Sequence, residues 1–527
     1  MRQGINIDKR QAHVVDGFSI APYTASSRRR FVSRLLLGLA IALAAIAAAS
    51  VVSKWPTRLR YPGEGDFVEG HQMAEMLHLR QGRSIYEPAD SDRFDDAIYG
   101  PLYYPLGSRL LDPSKPSYLP LRLLSLVAIL GGLAGSALLA FWLTQDRWAA
   151  ILAPLLCLGA AFVSLPAVSA RCDALAAALS FCGFLLAYRF RNSRLILLST
   201  VPMLLAFFYK QLFVGAALGV FVYLLLERRY RIAAQFAGLL AAGILSVVAL
   251  CQFVLFRNQA FLLHFIVYNR LPFGSDEIIL GLTLFFCFLG IPLAGAIYFL
   301  IWRRDRLVAC YTACCTIIPL LAIGKAGSWV NYYAECAIVL LTLLACEMTR
   351  RGRTVLQGVA WLALLAIAVL LNHPLAARSP SPVDFARDRE LQLFLREHFP
   401  PGTPAASYYS GELVRAGLDI RHTSLWHYVQ LVRKGTLSGS KFLQEIQDRK
   451  FGAILLDFDL KRNRNDRIAN LTLTPEFRAA ILANYSLLAA LPMPRVEITS
   501  NNDGQFFIWV PRVDEPGAGR SRVPDGG

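Results

Sequence analysis

Long apolar runs, separated by short polar segments, recur along the chain from about residue 31 to about residue 372. The runs are continuous and rich in Leu and Ala, and an α-helix needs about 20 such residues to cross the hydrocarbon core of a membrane. A transmembrane barrel would instead have short strands of alternating polarity. The pattern therefore predicts an α-helical polytopic membrane protein with about eleven spans. The predicted spans are 31–53, 119–144, 148–169, 173–189, 194–209, 211–227, 232–256, 277–302, 307–324, 331–349 and 354–372.

Four segments lie outside or between the predicted spans. Residues 1–30 form a basic tail, and residues 54–118 form a long loop inside the transmembrane domain 31–372. The segment 373–510 is predicted to fold as a small α/β domain. Residues 511–527 are rich in Pro, Gly and Arg and predict a flexible tail. Within the α/β domain the predicted strands are Phe451–Phe458 and Gln505–Val510, and the predicted helices are Leu425–Lys434 and Gly439–Arg449.

Basic residues are unequally distributed between the loops that alternate along the predicted spans. Cytoplasmic loops of membrane proteins carry the excess of Arg and Lys. The richer set of loops is therefore predicted to be cytoplasmic, which places the N-terminus inside and both the loop 54–118 and the α/β domain outside. The richer set holds Arg147, Arg189, Arg191, Arg194, Arg228, Arg229, Arg231, Arg303, Arg304, Arg306, Arg350, Arg351 and Arg353, and the opposite short loops hold Arg171, Lys210, Arg257, Arg270 and Lys325.

The amino-acid composition and the placement of charge exclude some classes of function. The 527 residues are 55% hydrophobic, and the formal net charge of +17 is concentrated in the short loops rather than on one basic face with interleaved aromatic residues. This distribution argues against a nucleic-acid-binding protein. All ten cysteines lie between Cys157 and Cys346, so no disulfide framework is expected in the water-facing parts. Cys310, Cys314 and Cys315 lack partners at metal-binding spacing and are interpreted as packing residues.

The long loop contains an acidic cluster shortly after the first span. Asp66 and Glu69 precede or begin a short amphipathic helix predicted for Val68–Arg80, and His71 follows within it. Asp66 is expected to be the N-cap of this helix, with Glu69 completing a capping box. That structural role does not exclude a functional one, because a carboxylate at a helix start near the membrane surface is both fixed and accessible.

Further along the loop, acidic residues precede a cluster of tyrosines. Asp95 and Asp96 are expected to be solvated loop charges. Tyr99, Tyr103 and Tyr104 offer flat faces with hydroxyl tips, which suit either a sugar ring or the membrane interface. Two prolines and a glycine in this stretch argue against a helix.

Polar residues also collect at the predicted outer ends of the spans. A charge at the bilayer centre costs about 2.5–3.5 kcal/mol on insertion scales, so Asp173 and Glu335, within or at the mouth of spans, are expected to have basic partners. Each residue singly could be snorkelling to the interface. Together they predict a polar cavity that opens on the outer side. The residues are Arg171, Asp173, Lys210, Gln211, Asn269, Arg270, Lys325, Asn331, Tyr332 and Glu335.

These residue types suit sugar transfer from a lipid phosphate carrier. Lys and Arg bind phosphate, a carboxylate accepts the proton of an attacking hydroxyl, and apolar walls accommodate a prenyl chain. At these positions the chain resembles the GT-C superfamily of polytopic glycosyltransferases, and within it the family-39-like or ArnT-like bacterial proteins and the related protein O-mannosyltransferases. The segments that carry the resemblance are Asp66 with Glu69, Tyr99–Tyr104, Ala170–Leu175, Lys210–Gln211 and Gly327–Glu335.

The resemblance implies a fold, a reaction and residue roles. It implies a polyprenyl-phosphate sugar donor, an inverting displacement at the anomeric carbon, a glycan, lipid or protein acceptor, and the inner membrane of a bacterium as the location. The acidic residue of the first loop that activates the acceptor would be Asp66. Because Phe67 follows it where many members have a second acid, Glu69 and Glu64 are rivals. Lys210, Arg171, Arg270 and Lys325 would stabilise the leaving phosphate. The resemblance leaves open whether the reaction requires a divalent cation.

Two other functions remain open. A transporter or flippase of a lipid-linked sugar would have internal repeats and helices broken near the membrane midplane, and several prolines in the spans could break them. A membrane scaffold without catalytic activity would bind a partner through its exterior domain. Such a scaffold would tolerate the loss of Asp66.

Overall fold

The computed structural model describes residues 25–88, 91, 93–257, 259–350, 354–461, 472–494 and 504–513. Most of the predicted basic tail 1–30 lies outside these residues, as do Arg351, Arg353 and the predicted tail beyond residue 513. Within the described part, a helical N-terminal portion is followed by a C-terminal portion that contains a small sheet.

Helices occupy every position at which a span is predicted. The helices of this portion are α1 (Ala25–Val52), α2 (Trp55–Arg60), α3 (Phe67–Arg80), α4 (Tyr103–Leu110), α5 (Leu119–Thr144), α6 (Arg147–Gly159), α7 (Ala161–Ala167), α8 (Asp173–Arg189), α9 (Thr200–Tyr209), α10 (Gly215–Leu226), α11 (Tyr230–Leu250), α12 (Ser275–Arg303), α13 (Arg306–Ala322), α14 (Ala334–Thr349) and α15 (Val355–Ala376). Short 3₁₀ or π segments lie at Arg194–Ser199, Cys251–Leu255, Leu263–Tyr268 and Val330–Tyr333.

The multi-pass helical architecture is confirmed, but the count of eleven spans is not. Among the described residues, six helical stretches have the length and apolarity to cross a membrane, and a bent pair would make a seventh. Arg194–Tyr209, α10 and α13 are apolar but shorter. The bent pair is α6 and α7, which meet at 73° where a single span 148–169 is predicted. At this bend the Asn372 side chain accepts a hydrogen bond from the freed backbone N–H of Ala161 at 3.2 Å.

Small side chains let the helices approach closely. A Cβ atom added at Gly215 would lie 2.8 Å from the Cα atom of Cys315, and one at Gly219 would lie 2.7 Å from that of Tyr311, so α10 and α13 touch along their backbones. Helix α14 is buried along its whole length. Cys315 is buried in this packing, as the sequence indicates, and all ten cysteines are free thiols.

The C-terminal portion contains helices around a five-stranded mixed sheet. The strands run in the order β2-β1-β3-β5-β4, with β1 parallel to β2 and β3, and β5 antiparallel to β3 and β4. Both predicted strands and both predicted helices are present, and the described residues of this portion contain three further strands and three further helices that were not predicted. The elements are α16 (Pro382–His398), β1 (Pro404–Ser407), α17 (Ser410–Arg415), β2 (Asp419–His422), α18 (Leu425–Arg433), α19 (Ser440–Gln447), β3 (Ala453–Leu456), α20 (Pro475–Asn484), β4 (Tyr485–Pro492) and β5 (Gln505–Pro511).

The first loop, residues 54–118, packs against this C-terminal portion. Phe94 pairs with β2 through its backbone, donating to Arg421 at 2.8 Å and accepting from Thr423 at 3.0 Å. The prediction that Asp95 and Asp96 are solvated is wrong, because the contact buries both residues. Asp95 is hydrogen-bonded to His78 at 2.9 Å, and Asp96 to His427 in α18. The loop and the C-terminal portion therefore form one wall of the candidate functional site that is described below.

A helix also forms where the sequence argues against one. Helix α4 begins at Tyr103 and contains Pro105 in its first turn. A proline is tolerated there because the backbone N–H groups of the first turn have no intrahelical partner. Tyr103 is consequently buried among apolar side chains.

Candidate functional site

Asp66 lies at the N-terminus of α3, as the sequence predicts. Its Oδ1 atom accepts a hydrogen bond from the backbone N–H of Val68 at 2.8 Å, and its Oδ2 atom accepts one from the guanidinium of Arg171. The predicted capping box is absent, because the Glu69 side chain accepts from the N–H of Gly65 at 2.8 Å rather than from that of Asp66. Asp66 is thus held by both of its oxygens.

Glu69 is held in a buried ion pair. The Arg122 guanidinium, which belongs to α5, donates to Glu69 Oε2 at 2.6 Å and to Oε1 at 3.3 Å. The N–H of Ala170 adds a third bond. Burial alone would raise the pKa of Glu69, but Arg122 and the backbone donors hold it below its usual range. The exposed fraction of the Glu69 side chain is 1%, whereas that of Asp66 is 25%.

Alternating charges continue from Asp66 to Lys210. Arg171 also donates to Asp173 Oδ2 at 3.0 Å, and Lys210 donates to Asp173 Oδ1 at 2.5 Å. Asn331 donates to the same carboxylate at 2.6 Å. We call Asp66, Arg171, Asp173 and Lys210 the ion-pair chain. The sequence-based expectation that Asp173 has basic partners is therefore confirmed.

Glu335 differs from Asp173. Its carboxyl accepts hydrogen bonds from the hydroxyls of Ser180 at 2.6 Å and Tyr311 at 2.8 Å, inside the helical core. The prediction of a basic partner for Glu335 is wrong for the described residues, because neutral hydroxyls compensate its burial. Glu335 is not among the residues that line the cavities described next.

The main cavity has a volume of about 620 Å³ and a cationic end. Lys210, Arg270 and Lys325 line this end. The Lys210 Nζ atom lies 5.1 Å from the ring centre of Tyr99 and 4.8 Å from that of Tyr332. Burial lowers the pKa of Lys325, whose ammonium donates to the Asn269 side chain. Gln211 also lines the cavity and donates to the Ile98 carbonyl at 3.0 Å.

One side of the main cavity is apolar. Ile244, Leu245 and Val248 of α11 line it together with Ile266. Leu245 is 68% exposed and Ile266 is 42% exposed on the outer surface of the helices. The cavity therefore adjoins a surface that a membrane would cover.

Another wall of the main cavity carries polar residues from α3, the first loop and the C-terminal portion. His71, Gln72 and Glu75 contribute from α3, and Asp96 and His427 complete the wall. His71 Nε2 is 2.9 Å from the Tyr408 carbonyl, and burial lowers the pKa of His71 to about 3. Of this wall, sequence reasoning found His71 only. The spacing of His71 and Glu75, four residues apart on one helix face, was an available signal.

A smaller cavity of about 50 Å³ lies at the other end of the ion-pair chain. Asp66, Arg171, Asp173 and Asn331 line it, whereas Lys210 lines the main cavity. Phe67 and Val68, directly after Asp66, line the main cavity as well. The ion-pair chain therefore connects the two cavities. Tyr99, Tyr104 and Tyr332 are in the main cavity's lining, but Tyr103 packs in the interior.

A divalent cation does not fit these carboxylates. Among the described residues, no group of three or more His, Cys, Asp or Glu side chains is arranged to hold a metal ion. Asp66 and Asp173 face Arg171 and Lys210, and Glu69 faces Arg122. Their charges are already compensated by cations of the protein.

Comparison with known proteins identifies the fold. Neither a protein-family model nor a curated protein sequence matches the chain. The crystal structure of ArnT from Cupriavidus metallidurans in the apo state aligns with a TM-score of 0.57 at 11% sequence identity, covering 88% of this chain and 97% of ArnT. The same protein bound to undecaprenyl phosphate aligns with a TM-score of 0.55 at 12% identity and the same coverage. The chain thus has the fold that its GT-C resemblance implied, and the particular architecture it shares is that of ArnT.

Proposed function

We propose that the protein is a membrane glycosyltransferase that moves a sugar from a polyprenyl-phosphate donor to an acceptor hydroxyl at the outer face of the membrane. The observation that carries the proposal is the position of the ion-pair chain beside a cavity with a cationic end and an apolar side. That combination lies within a fold shared with ArnT over 97% of the ArnT chain.

The main cavity matches a lipid phosphate in its chemistry. Lys210, Arg270 and Lys325 supply charge-assisted hydrogen bonds to a phosphate group. The apolar residues of α11 continue to the lipid-facing surface and suit a prenyl chain. One of the two ArnT structures contains undecaprenyl phosphate. We therefore assign the donor to this cavity.

Asp66 is the acid best placed to activate the acceptor. It is the more exposed of the two predicted catalytic acids and lines the smaller cavity, whereas Glu69 is enclosed by Arg122. Glu64, the other rival, is buried and accepts a hydrogen bond from the backbone N–H of Glu412 at 3.1 Å. A general base needs hydrogen-bond reach to the hydroxyl that it deprotonates. Asp66 meets this requirement from the smaller cavity.

The reaction that follows is a single displacement. Asp66 accepts the proton of the acceptor hydroxyl, and the oxygen forms a bond with the anomeric carbon of the donor sugar. The bond between that carbon and the phosphate oxygen breaks, and the phosphate leaves with its electron pair. Lys210, Lys325 and Arg270 stabilise the charge that develops on it, with Arg171 orienting Asp66. Attack opposite the leaving group inverts the anomeric configuration.

The orientation of the protein follows from its loop charges. With the Arg-rich loops in the cytoplasm, the first loop and residues 373–510 face the outside, which is the periplasm for a bacterial inner-membrane protein. The candidate site then opens on the outer side of the membrane, where the proposed lipid-linked sugar donor would bind. Acceptors of this reaction are a glycan, a lipid or a protein that carries a free hydroxyl.

Replacement of Asp66 tests the proposal. Membranes containing wild-type protein or Asp66→Asn are incubated with labelled undecaprenyl-phosphate sugars and an extract of cell-envelope acceptors, and the undecaprenyl phosphate released is measured. We expect Asp66→Asn to slow release by about 10²-fold or more. Asp112→Asn is the matched control, because Asp112 is an exposed aspartate of the same loop. Undiminished release by Asp66→Asn would exclude Asp66 as the base.

The bent pair α6 and α7 is the observation that favours a transporter. Reconstitution in liposomes with an undecaprenyl-phosphate sugar in one leaflet separates the two functions. A transporter would move the intact lipid to the other leaflet. A transferase would leave it there until an acceptor is added and would then release undecaprenyl phosphate.

A further inference from the structure

The main cavity also has a polar wall, formed by α3, the first loop and the C-terminal portion, that the proposed phosphate binding does not use. Gln72, Glu75, Asp96 and His427 line it. All four are buried. The cationic residues of the cavity come from other elements, namely Lys210 after α9, Arg270 after the π segment Leu263–Tyr268, and Lys325 after α13. A donor phosphate bound by these cations leaves the polar wall for another part of the donor.

Gln72 is the residue that indicates a ligand. Its side chain is only 1% exposed, yet neither its Nε2 nor its Oε1 atom has a hydrogen-bond partner among the described residues. A buried amide without partners costs about 1–3 kcal/mol, so such a group in a cavity lining is expected to be satisfied by something that the cavity binds. An amide offers donors and an acceptor side by side, which matches the hydroxyl groups of a sugar.

The neighbouring carboxyl groups already have partners. The Thr423 hydroxyl is 3.1 Å from Glu75 Oε1, and Asp96 is hydrogen-bonded to the imidazole of His427. Burial, and then the nearby Asp95 carboxyl, raise the pKa of Glu75 well above its usual range. A protonated carboxyl both donates and accepts hydrogen bonds. This wall therefore favours hydroxyls over an ammonium, which needs acceptors alone, or a carboxylate, which needs donors alone.

We propose that Gln72, Glu75 and the Asp96–His427 pair form a binding subsite for the hydroxyl groups of an uncharged sugar ring. The inference rests on the proposed function, since the sugar is the one attached to the lipid phosphate at the cationic end. Trp426, which also lines the cavity, offers an indole face against which a sugar ring packs. The subsite makes the donor a neutral hexose or pentose rather than an amino sugar or a uronic acid.

Binding to the full-length protein in nanodiscs tests the subsite. The probes are undecaprenyl phosphate alone and undecaprenyl phosphate bearing glucose, galactose, mannose, arabinose, 4-amino-4-deoxyarabinose or glucuronic acid. We expect at least one neutral sugar to tighten binding about tenfold over undecaprenyl phosphate, as two neutral hydrogen bonds allow. We expect no such gain from either charged sugar. A gain from charged sugars alone, or from no sugar, would overturn the subsite.

Variants of Gln72 assign the gain to this residue. Gln72→Met keeps the length and flexibility of the side chain without its amide, and it should abolish the sugar-dependent gain while leaving the affinity for undecaprenyl phosphate unchanged. Gln81→Met, at the exposed end of the same helix, is the control and should change neither affinity. Gln72→Glu should shift the preference toward the amino sugar. An equal loss for both lipids in Gln72→Met would indicate a merely structural role and would contradict the inference.

The same measurement separates the two proposals. If undecaprenyl phosphate itself does not bind to the wild-type protein, the donor site fails and the subsite fails with it. If it binds, and no neutral sugar adds affinity, the donor site stands and the subsite alone is refuted.

Discussion

The Lys210 ammonium donates a hydrogen bond to Asp173 Oδ1 at 2.5 Å, and the two side chains are 5% and 1% exposed. Asp173 also binds Arg171 through its second oxygen. One carboxylate therefore compensates two buried cations, each of which lines a different cavity. This arrangement makes Asp173 the centre of the site, although it is not one of the predicted catalytic acids.

Loss of Asp173 should therefore destabilise the protein. Asp173→Asn removes the charge that both Arg171 and Lys210 face, and an unpaired buried charge costs about 3–5 kcal/mol. We expect a clearly lower thermal denaturation midpoint in detergent. The control is Asp305→Asn, at the N-cap of α13, where the partner Arg191 is 34% exposed and Asn caps a helix as well as Asp. Equal midpoints for the two variants would contradict the central role of Asp173.

Glu69 and Asp66 should respond differently to substitution. Glu69→Gln leaves Arg122 buried without a counter-ion, and it should lower the free energy of unfolding by about 3 kcal/mol. Asp66→Asn should abolish sugar transfer with little change in the thermal midpoint, because Asn remains a good N-cap. A stable, inactive Glu69→Gln protein would instead make Glu69 the catalytic acid.

Lys325 should make phosphate binding depend on pH. Burial lowers its pKa, so Lys325 loses its proton at a lower pH than an exposed lysine does. Affinity for undecaprenyl phosphate should fall, by up to about tenfold for one charge-assisted bond, as the pH rises through that lowered pKa. Lys325→Arg should retain the affinity at alkaline pH, because the guanidinium stays charged. Titrations of the wild type, Lys325→Arg and the exposed-site control Lys115→Arg measure this effect. Parallel curves for all three proteins would refute it.

Glu412 should position the segment that leads to Asp66. Its Oε1 atom accepts from the N–H of Glu64 at 3.0 Å, while the N–H of Glu412 donates to Glu64 Oε1 at 3.1 Å. Glu412→Ala removes one side of this reciprocal pair, and it should cost about 1–3 kcal/mol. We expect a lower turnover rate with nearly unchanged donor affinity. Glu397→Ala, on the exposed face of α16, serves as the control. A change in donor affinity without a change in turnover would argue against positioning.

Local patterns predicted those features whose cause is local. Helices stand at all the predicted spans because apolar composition and helix formation depend on neighbouring residues. Asp66 was recognised as an N-cap for the same reason. Prolines in the spans indicated possible breaks, but the position of the bend between α6 and α7 was not predicted, since the Asn372 side chain that satisfies the freed N–H lies 211 residues away.

The site was predicted in part, and the errors have a common cause. Asp95 and Asp96 looked solvated because the groups that bury them come from other segments. The contact with β2 and the imidazole of His427 are distant in sequence, and His78, which binds Asp95, lies 17 residues before it. The sequence suggested that the Glu335 carboxylate would have a basic ion-pair partner, but hydroxyl groups from α8 and α13 donate hydrogen bonds to it instead. Gln72 belonged to no motif, and the one signal for Glu75 was its spacing of four residues from His71 on the same helix face.

The sequence by itself determined a helical membrane architecture, the clustering of cations and acids at one set of helix ends, and the position of Asp66. These follow from hydrophobicity, helical period and capping, which act within a few residues. Only the tertiary structure decided that Arg122 encloses Glu69 and leaves Asp66 accessible, and that α3 and the C-terminal portion complete the cavity. Such choices depend on which distant groups meet when the helices pack, because the free energy of a buried charge is set by its partners.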